Sequence, residues 1–280
     1  RDYNTIFPSL SVGFAPKPGR NVRFSYSKSI GRPPATFLNP YVPSTDPLNL
    51  SVGNPDLRPS YSHSARLEYS WTGARGTLRI APMYRRQVDL WERIRTVDTL
   101  GVSTTRWENA ASADYLATGV SVSLPPTRAL SGSMNFTVYR DVRDGSNIST
   151  AYRSRGIGWS VGGNLGYKFA PSLTAQMFMS YNPKQFILQG RASGFTYMSL
   201  GIRQQLWGTK GSLGLNISDP LGLSRFDSST RDPTYIQNSR SSFTQRAASL
   251  SFTYNFGKPP QQRSSRVGTD EGAGETIRVR

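Results

Sequence analysis

A chain of 280 residues with 36% hydrophobic residues, a formal net charge of +17, 26 glycines and 19 prolines is short of the apolar side chains that a large water-soluble core requires. The absence of cysteine and the single histidine, His63, exclude disulfide frameworks, thiolate chemistry and multi-histidine zinc sites. No apolar run approaches the ~18 residues of a membrane helix, and the cations are spread without a zinc-finger spacing, a basic helix or an RNP-type motif, so nucleic acid is not an expected partner.

The chain alternates instead. Leu10, Val12 and Phe14 face away from Ser9, Ser11 and Gly13, and Val22, Phe24, Tyr26 and Ile30 from Arg23, Ser25, Ser27 and Ser29. Next comes "SVGNPDLRPSYSHSARLEYSW", Ser51–Trp71, a knot of turn formers and then a strand with Tyr61, His63, Ala65, Leu67, Tyr69 and Trp71 on one parity. Proline at 55 and 59 holds Asn54 and Arg58 extended, Gly53 is read as a positive-φ position, and Asn54 and Asp56 can bond their own backbone. The same two-residue period recurs at Leu78–Tyr84, Thr118–Leu124, Met134–Val138, Trp159–Phe169, Leu173–Tyr181, Met198–Leu206, Leu213–Ile217 and Ala248–Phe256. Successive side chains of a strand point to opposite faces, so these are about eleven amphipathic strands of about nine to eleven residues each.

The connections alternate too. Pro16–Asn21, Thr72–Gly76, Pro125–Leu130, Ala170–Ser172 and Trp207–Gly211 are short, whereas Gly31–Pro59, Ile94–Ser103, Arg140–Arg155, Asn182–Gly194 and Asp219–Arg240 are long. That sorting puts tight turns at one end and long loops at the other, the layout of an outer-membrane barrel. Trp71, Tyr167, Phe169, Trp207, Tyr254 and Phe256 gather at the short-turn end, as an interfacial aromatic girdle would. The expected fold is an all-β, antiparallel transmembrane β-barrel. Residues 1–257 form its wall, and 258–280, without periodicity, form a disordered polar tail on the periplasmic side. A soluble β-rich binding protein is the alternative fold.

The segments "FPSLSVGFAP", "RFSYSKSIGRP", "GNPDLRPSYSHSARLEYSW", "WENAAS" and "SLSFTYNFGK" resemble the C-terminal half of the barrel in TonB-dependent receptors and the related outer-membrane β-barrel family, over about Thr5–Lys258. The resemblance implies a barrel of the twenty-two-strand type, an N-terminal plug that contacts the TonB system, and uptake of a large ligand of siderophore, glycan, peptide or cofactor type. With its last strand running down to Phe256, an eleven-strand chain also starts downward, which suggests strands and a plug upstream of Arg1. A small self-contained porin or non-enzymatic surface barrel is the runner-up. The implied location is the outer membrane of a Gram-negative-type bacterium, with its lipid and lipopolysaccharide as partners. No cofactor and no enzymatic activity are expected.

Three motifs resemble catalytic ones without their context. Gly158–Gly162 matches G-x-S-x-G but sits inside an alternating strand, and the only histidine lies upstream. Ser25–Lys28 matches S-x-x-K without its companion motifs. His63 shares the outward parity of Leu67 and reads as an interfacial side chain. The candidate contacts are the inward-parity arginines Arg23, Arg66, Arg79, Arg85 and Arg203, with Tyr41, Asp56 and Arg58 in the long loop. The arginines have two readings: a solvated wall paired with Glu68 and Asp89, or an anion-attracting interior or lipopolysaccharide contact.

Overall fold

The computed structural model describes residues 5–41, 46–125, 129–192, 194–208, 210–231, 235–242 and 246–256. The expected tail, 258–280, lies outside the described residues. One sheet carries the wall strands β1 (Ser9–Lys17) and β2 (Arg20–Gly31), and after a helical turn, α1 (Ala35–Leu38), the short β3 (Asn49–Val52). It continues through β4 (Ser60–Gly73), β5 (Gly76–Val97), β6 (Ser103–Leu124), β7 (Leu130–Asp144), β8 (Arg153–Ala170) and β9 (Leu173–Asn182). Two short strands, β10 (Gln185–Ile187) and β11 (Gly190–Ala192), precede β12 (Phe195–Leu206) and β13 (Gly211–Ser218). Then come β14 (Arg225–Arg231), β15 (Ile236–Ser242) and the last wall strand, β16 (Ala247–Tyr254).

The large sheet has twelve strands, of which β3 lies off the main path, leaving eleven in the order β1-β2-β4-β5-β6-β7-β8-β9-β12-β13-β16. Every neighbouring pair on that path is antiparallel. β1 and β16 are its two edges and do not pair with each other. These eleven strands are those that the alternation marks out. β10, β11, β14 and β15 form a separate four-stranded sheet at the long-loop end.

Register fixes the faces. Val22, Tyr69, Ile80 and Val120 stand opposite one another across four strands, as do Phe24 and Leu67. On this outward face Phe14 is 64% exposed, Leu116 55% and Phe252 59%. A water-soluble sheet would have to cover such a face, and among the described residues no second layer lies over it. At the short-turn rim the rings meet edge to face, Tyr167 with Phe169 at 4.7 Å and Trp207 with Tyr254 at 6.1 Å.

Several expectations are corrected. β5 and β6 have 22 residues each, about twice the expected length, because their ladder continues past the alternating segments over 85–97 and 103–117, and only 98–102 of the expected Ile94–Ser103 loop lies outside the strands. At about 3.3 Å per residue such a strand is about 70 Å long and stands well clear of an apolar band of about 25 Å. The long connections 182–194 and 219–240 hold the β10–β11 and β14–β15 hairpins. Gly53 is not among the positive-φ glycines. It is glycine because a Cβ there would stand 2.2 Å from the Asn39 carbonyl oxygen, which accepts the Gly53 N–H at 3.0 Å.

Candidate functional site

At the long-loop end the connections are built into a cap. Its spine is the part of the β5–β6 ribbon beyond the Val88–Ser112 pair, where β5 has lost β4 as a neighbour and β6 has lost β7. The ladder is interrupted at Asp89, which has φ 54. Aspartate visits this left-handed region more readily than most residues. Here Arg58 pairs with its carboxylate at 2.6 Å, and the Asn109 side-chain amide donates to its carbonyl at 2.7 Å.

Beyond Asp89 both faces of the ribbon are covered by protein. One face packs Leu90, Ile94 and Ala110 against Tyr152 and Leu188, a small apolar core. The other presents Trp91 and Trp107 to Phe37 of α1, stacked on Trp107 at 3.8 Å and edge-on to Trp91 at 6.3 Å. The Gly53–Pro59 knot is pinned to this ribbon. Buried Asn54 donates to the Trp107 carbonyl at 2.9 Å and accepts from the Asp56 N–H and the Arg106 guanidinium. Leu57 is 2% exposed.

The core face also buries charge. Arg143 bonds both Glu92 and Asp141, which are nearly buried side chains. Burial pushes the Glu92 carboxyl above the usual range, Arg143 opposes that, and Asp141 adds to it. For Arg143, burial works against the charged form, but the bonds to Asp141 and the charge of Glu92 outweigh it and hold the guanidinium protonated.

Two residues tie the loops together. Gln189, 3% exposed, accepts the Arg95 N–H at 2.8 Å and donates its amide to the Arg95 carbonyl at 2.8 Å and to the Tyr152 hydroxyl at 3.0 Å. The Arg95 side chain reaches Ser103 at 2.5 Å, Asn49 at 2.9 Å and Gln237 of β15. One amide and one guanidinium thus join β3, the β5–β6 tip, the Tyr152 turn and the second sheet. Phe186 of β10 lies against Gly156 of β8, where a Cβ would stand 2.1 Å from the ring. Gly156 has inward parity, so this hairpin folds over the inner side of the wall. Beside it lies a cavity of about 550 Å³ lined by Tyr152, Phe186, Arg153, Arg155, Arg191 and Arg231.

A membrane-facing wall of alternating strands, tight turns at one rim and a folded cap at the other are joined by a match to the family model "Outer membrane protein beta-barrel family" over residues 1–254. The chain belongs to the outer-membrane β-barrel family. The barrel therefore lies in the outer membrane, with its short turns periplasmic and its cap extracellular. Among solved structures the fold is similar to that of the siderophore receptor PirA from Pseudomonas aeruginosa, with TM-score 0.56, 14% identity, and coverage of 77% of this chain and 39% of that one. It is also similar to the ferric enterobactin receptor mutant R480A from the same organism in complex with enterobactin, with TM-score 0.58, 15% identity, and coverage of 88% and 39%. A copper transporter, OprC, gives TM-score 0.55, 11% identity, and coverage of 88% and 38%. The chain thus spans about two fifths of the length of these barrels. No curated protein matches the chain by sequence.

On this barrel the sequence candidates separate into two groups. Arg79 pairs with Glu68 at 3.5 Å, Arg85 lies 5.1 Å from the Tyr115 ring, Arg203 donates to Ser212 at 3.1 Å, and Arg66 lies 3.5 Å from the Met83 sulfur. Arg23 stands exposed opposite Glu68. Arg23, Arg66, Arg79 and Arg85 share one patch of the inner wall, on the adjacent strands β2, β4 and β5 around Glu68, and Arg203 lies apart on β12. Arg58 serves the ribbon through Asp89 and Asn109. Asp56 donates its N–H to Asn54, and Tyr41, 72% exposed, donates its N–H to Asn39. Sequence reading missed Arg95, Gln189 and the Glu92–Arg143–Asp141 cluster. Their only sequence signal was a set of charged and amide residues in the long connections. Gly158–Gly162 lies within β8 and Ser25–Lys28 within β2, both on wall strands. His63 accepts or donates at Nδ1 with the Tyr26 hydroxyl at 2.9 Å, on the outward face. Among the described residues no group of three acidic or histidine side chains could hold a metal.

Proposed function

We propose that this chain is the distal wall and cap of a TonB-dependent receptor that takes up a large ligand of siderophore, glycan, peptide or cofactor type, and that it is not an enzyme. In this reading it works with further wall strands and with a plug through which the TonB system acts. The observation that carries it is the cap. A second sheet built of two hairpins lies at the extracellular mouth, with the β10–β11 hairpin folded over the inner side of the wall, and beside it lies an arginine- and aromatic-lined cavity of about 550 Å³. A passive diffusion pore gains nothing from a mouth so built over, whereas a receptor needs a surface that holds a ligand before import. The similarity to receptor barrels of more than twice this length, one of them solved with enterobactin, supports the larger assembly. The inner-wall arginines Arg23, Arg66, Arg79, Arg85 and Arg203, with Tyr41, Asp56 and Arg58, are proposed as secondary contacts along the ligand's path.

The test is uptake by cells that produce the full-length protein, with and without TonB, using a panel of radiolabelled siderophores, oligosaccharides and peptides. Import of one class that stops without TonB is the expected result. Uptake of small solutes that is indifferent to TonB and rises with concentration without saturation would replace the receptor with a porin.

A further inference from the structure

On β2, β5 and β7 the outward face carries a cation at about one height. Beneath it the outward positions are apolar: Val22 and Phe24 on β2, Leu78, Ile80 and Pro82 on β5, and Met134, Phe136 and Val138 on β7. Above these come Lys28, Arg86 and Arg140, on the same parity. They stand 8, 10 and 10 residues past Arg20, Gly76 and Leu130, where their strands begin. At about 3.4 Å per residue and a tilt of about 40°, ten residues climb about 25 Å, the height of the apolar band. On these three of the eleven strands the cations therefore stand where the acyl chains end and the outer-leaflet headgroups begin.

Register puts them side by side. Lys28 pairs with His63, His63 with Arg86, Arg86 with Asp114, and Arg140 lies opposite Leu116, the next outward residue down from Asp114. Lys28 and Arg86 are two strand spacings apart, about 10 Å. Asp114 is already engaged, accepting from the Tyr84 hydroxyl at 2.5 Å and pairing with Arg86 at 3.5 Å. Lys28 rests over the Tyr61 ring at 5.5 Å, and neither it nor Arg140 has an acidic partner among the described residues. Unneutralised cations facing outward at this depth have a cost unless an anion meets them, and arginine and lysine are the residues that hold phosphate.

We propose that Lys28, Arg86 and Arg140, flanked by His63 and the Tyr84 hydroxyl, bind the phosphate groups of lipopolysaccharide in the outer leaflet. The proposal rests on the barrel's place in the outer membrane and is independent of uptake. It moves the lipopolysaccharide contact from the inward arginines, which face the lumen, to the outward row. More than one cation at about 10 Å spacing suits a lipid bearing more than one phosphate.

The test uses the full-length protein purified in detergent and titrated with lipopolysaccharide, with lipid bound per barrel read by native mass spectrometry. Three variants are compared with wild type: Lys28→Gln/Arg86→Gln/Arg140→Gln, the single Arg140→Gln, and an inward control, Arg23→Gln/Arg66→Gln/Arg203→Gln, with the same change in charge. Folding of each is verified by heat-dependent gel migration. If the outward triple variant does not fold, the single variant, which breaks no ion pair among the described residues, decides. We expect an affinity loss of about tenfold in the outward triple, a smaller loss in the single variant, and none in the control. Phosphatase-treated lipopolysaccharide should bind wild type as poorly as the intact lipid binds the outward triple. Unchanged binding by the outward variants, an equal loss in the inward control, or full binding of the dephosphorylated lipid overturns the proposal. Displacement by equimolar inorganic phosphate would assign the row to a free anion and overturn the lipid.

Discussion

The periplasmic half and the extracellular half of this molecule are held together by different means. Near the short turns the sheet is one layer thick, and an outward residue such as Phe14 or Leu215 has no second layer above it among the described residues. Its order comes from the ladder, which no water competes for in lipid, and from the lipid itself. Above the Val88–Ser112 pair the chain behaves as a water-soluble domain. There Leu90, Ile94 and Ala110 are buried, both faces of the ribbon are covered, and charge is enclosed with its counter-charge. Two strands, β5 and β6, pass through both regimes. The difference teaches that alternation alone does not say what an outward residue faces, because the solvent changes along the strand.

Substitutions should distinguish the halves. Arg143→Met leaves Glu92 and Asp141 enclosed without a cation, and loss of one partner of a buried pair costs about 3–5 kcal/mol. Hydrogen exchange should rise sharply over 90–110 and 145–152 while β13 and β16 stay protected. A uniform rise along the barrel would show that the halves are not separable.

The converse change is Leu215→Arg, which puts a charge on the lipid face and should cost about 2–4 kcal/mol or block insertion, with Asn216→Arg one residue on tolerated. Denaturant unfolding from vesicles measures both, and equal damage would contradict the assignment of faces. A smaller effect is expected of Gln189→Leu, which deprives the part-buried Arg95 N–H of its acceptor at a cost of about 1–3 kcal/mol. Limited proteolysis of intact cells should then cut within 185–192, and resistance equal to wild type would show that the amide is dispensable.

The smallest effect is a pH dependence. The Glu92 carboxyl is raised above its ordinary value, chiefly by burial. A group whose folded pKa is raised stabilises the fold below its unfolded pKa, about 4.3, and that contribution fades as pH rises through the folded value. The cap should therefore become slightly better protected from exchange as pH falls from 7 towards 5, and Glu92→Gln should flatten the trend. Asp144, lowered mainly by the Ser146 N–H, acts in the opposite sense and only at more acidic pH. A cap that loosens between pH 7 and 5 would contradict the sign.

The wall was legible in the sequence because alternation is a local property: Val22, Phe24 and Tyr26 announce their face whatever pairs with them. The cap was not, because its determinants meet across long separations. Arg143 reaches Glu92 51 positions away, and Gln189 reaches Arg95 94 positions away. Nothing beside either residue marks the partner. The Gly53–Pro59 knot was recognised as a turn, but its reason was misassigned: the glycine makes room for Asn39, a contact that exists only once the loop has folded. The candidate arginines show the same limit, since parity placed them inward but could not show that four of them would meet around Glu68 while Arg203 stood apart on β12.

Mechanically, β5 is a single rod about 70 Å long. One end sits at the periplasmic rim, and the other, at Arg95, is clamped by Gln189. Its ladder with β6 is broken only at Asp89. The one irregularity between the two ends of the rod is thus this aspartate, and Arg58 braces it.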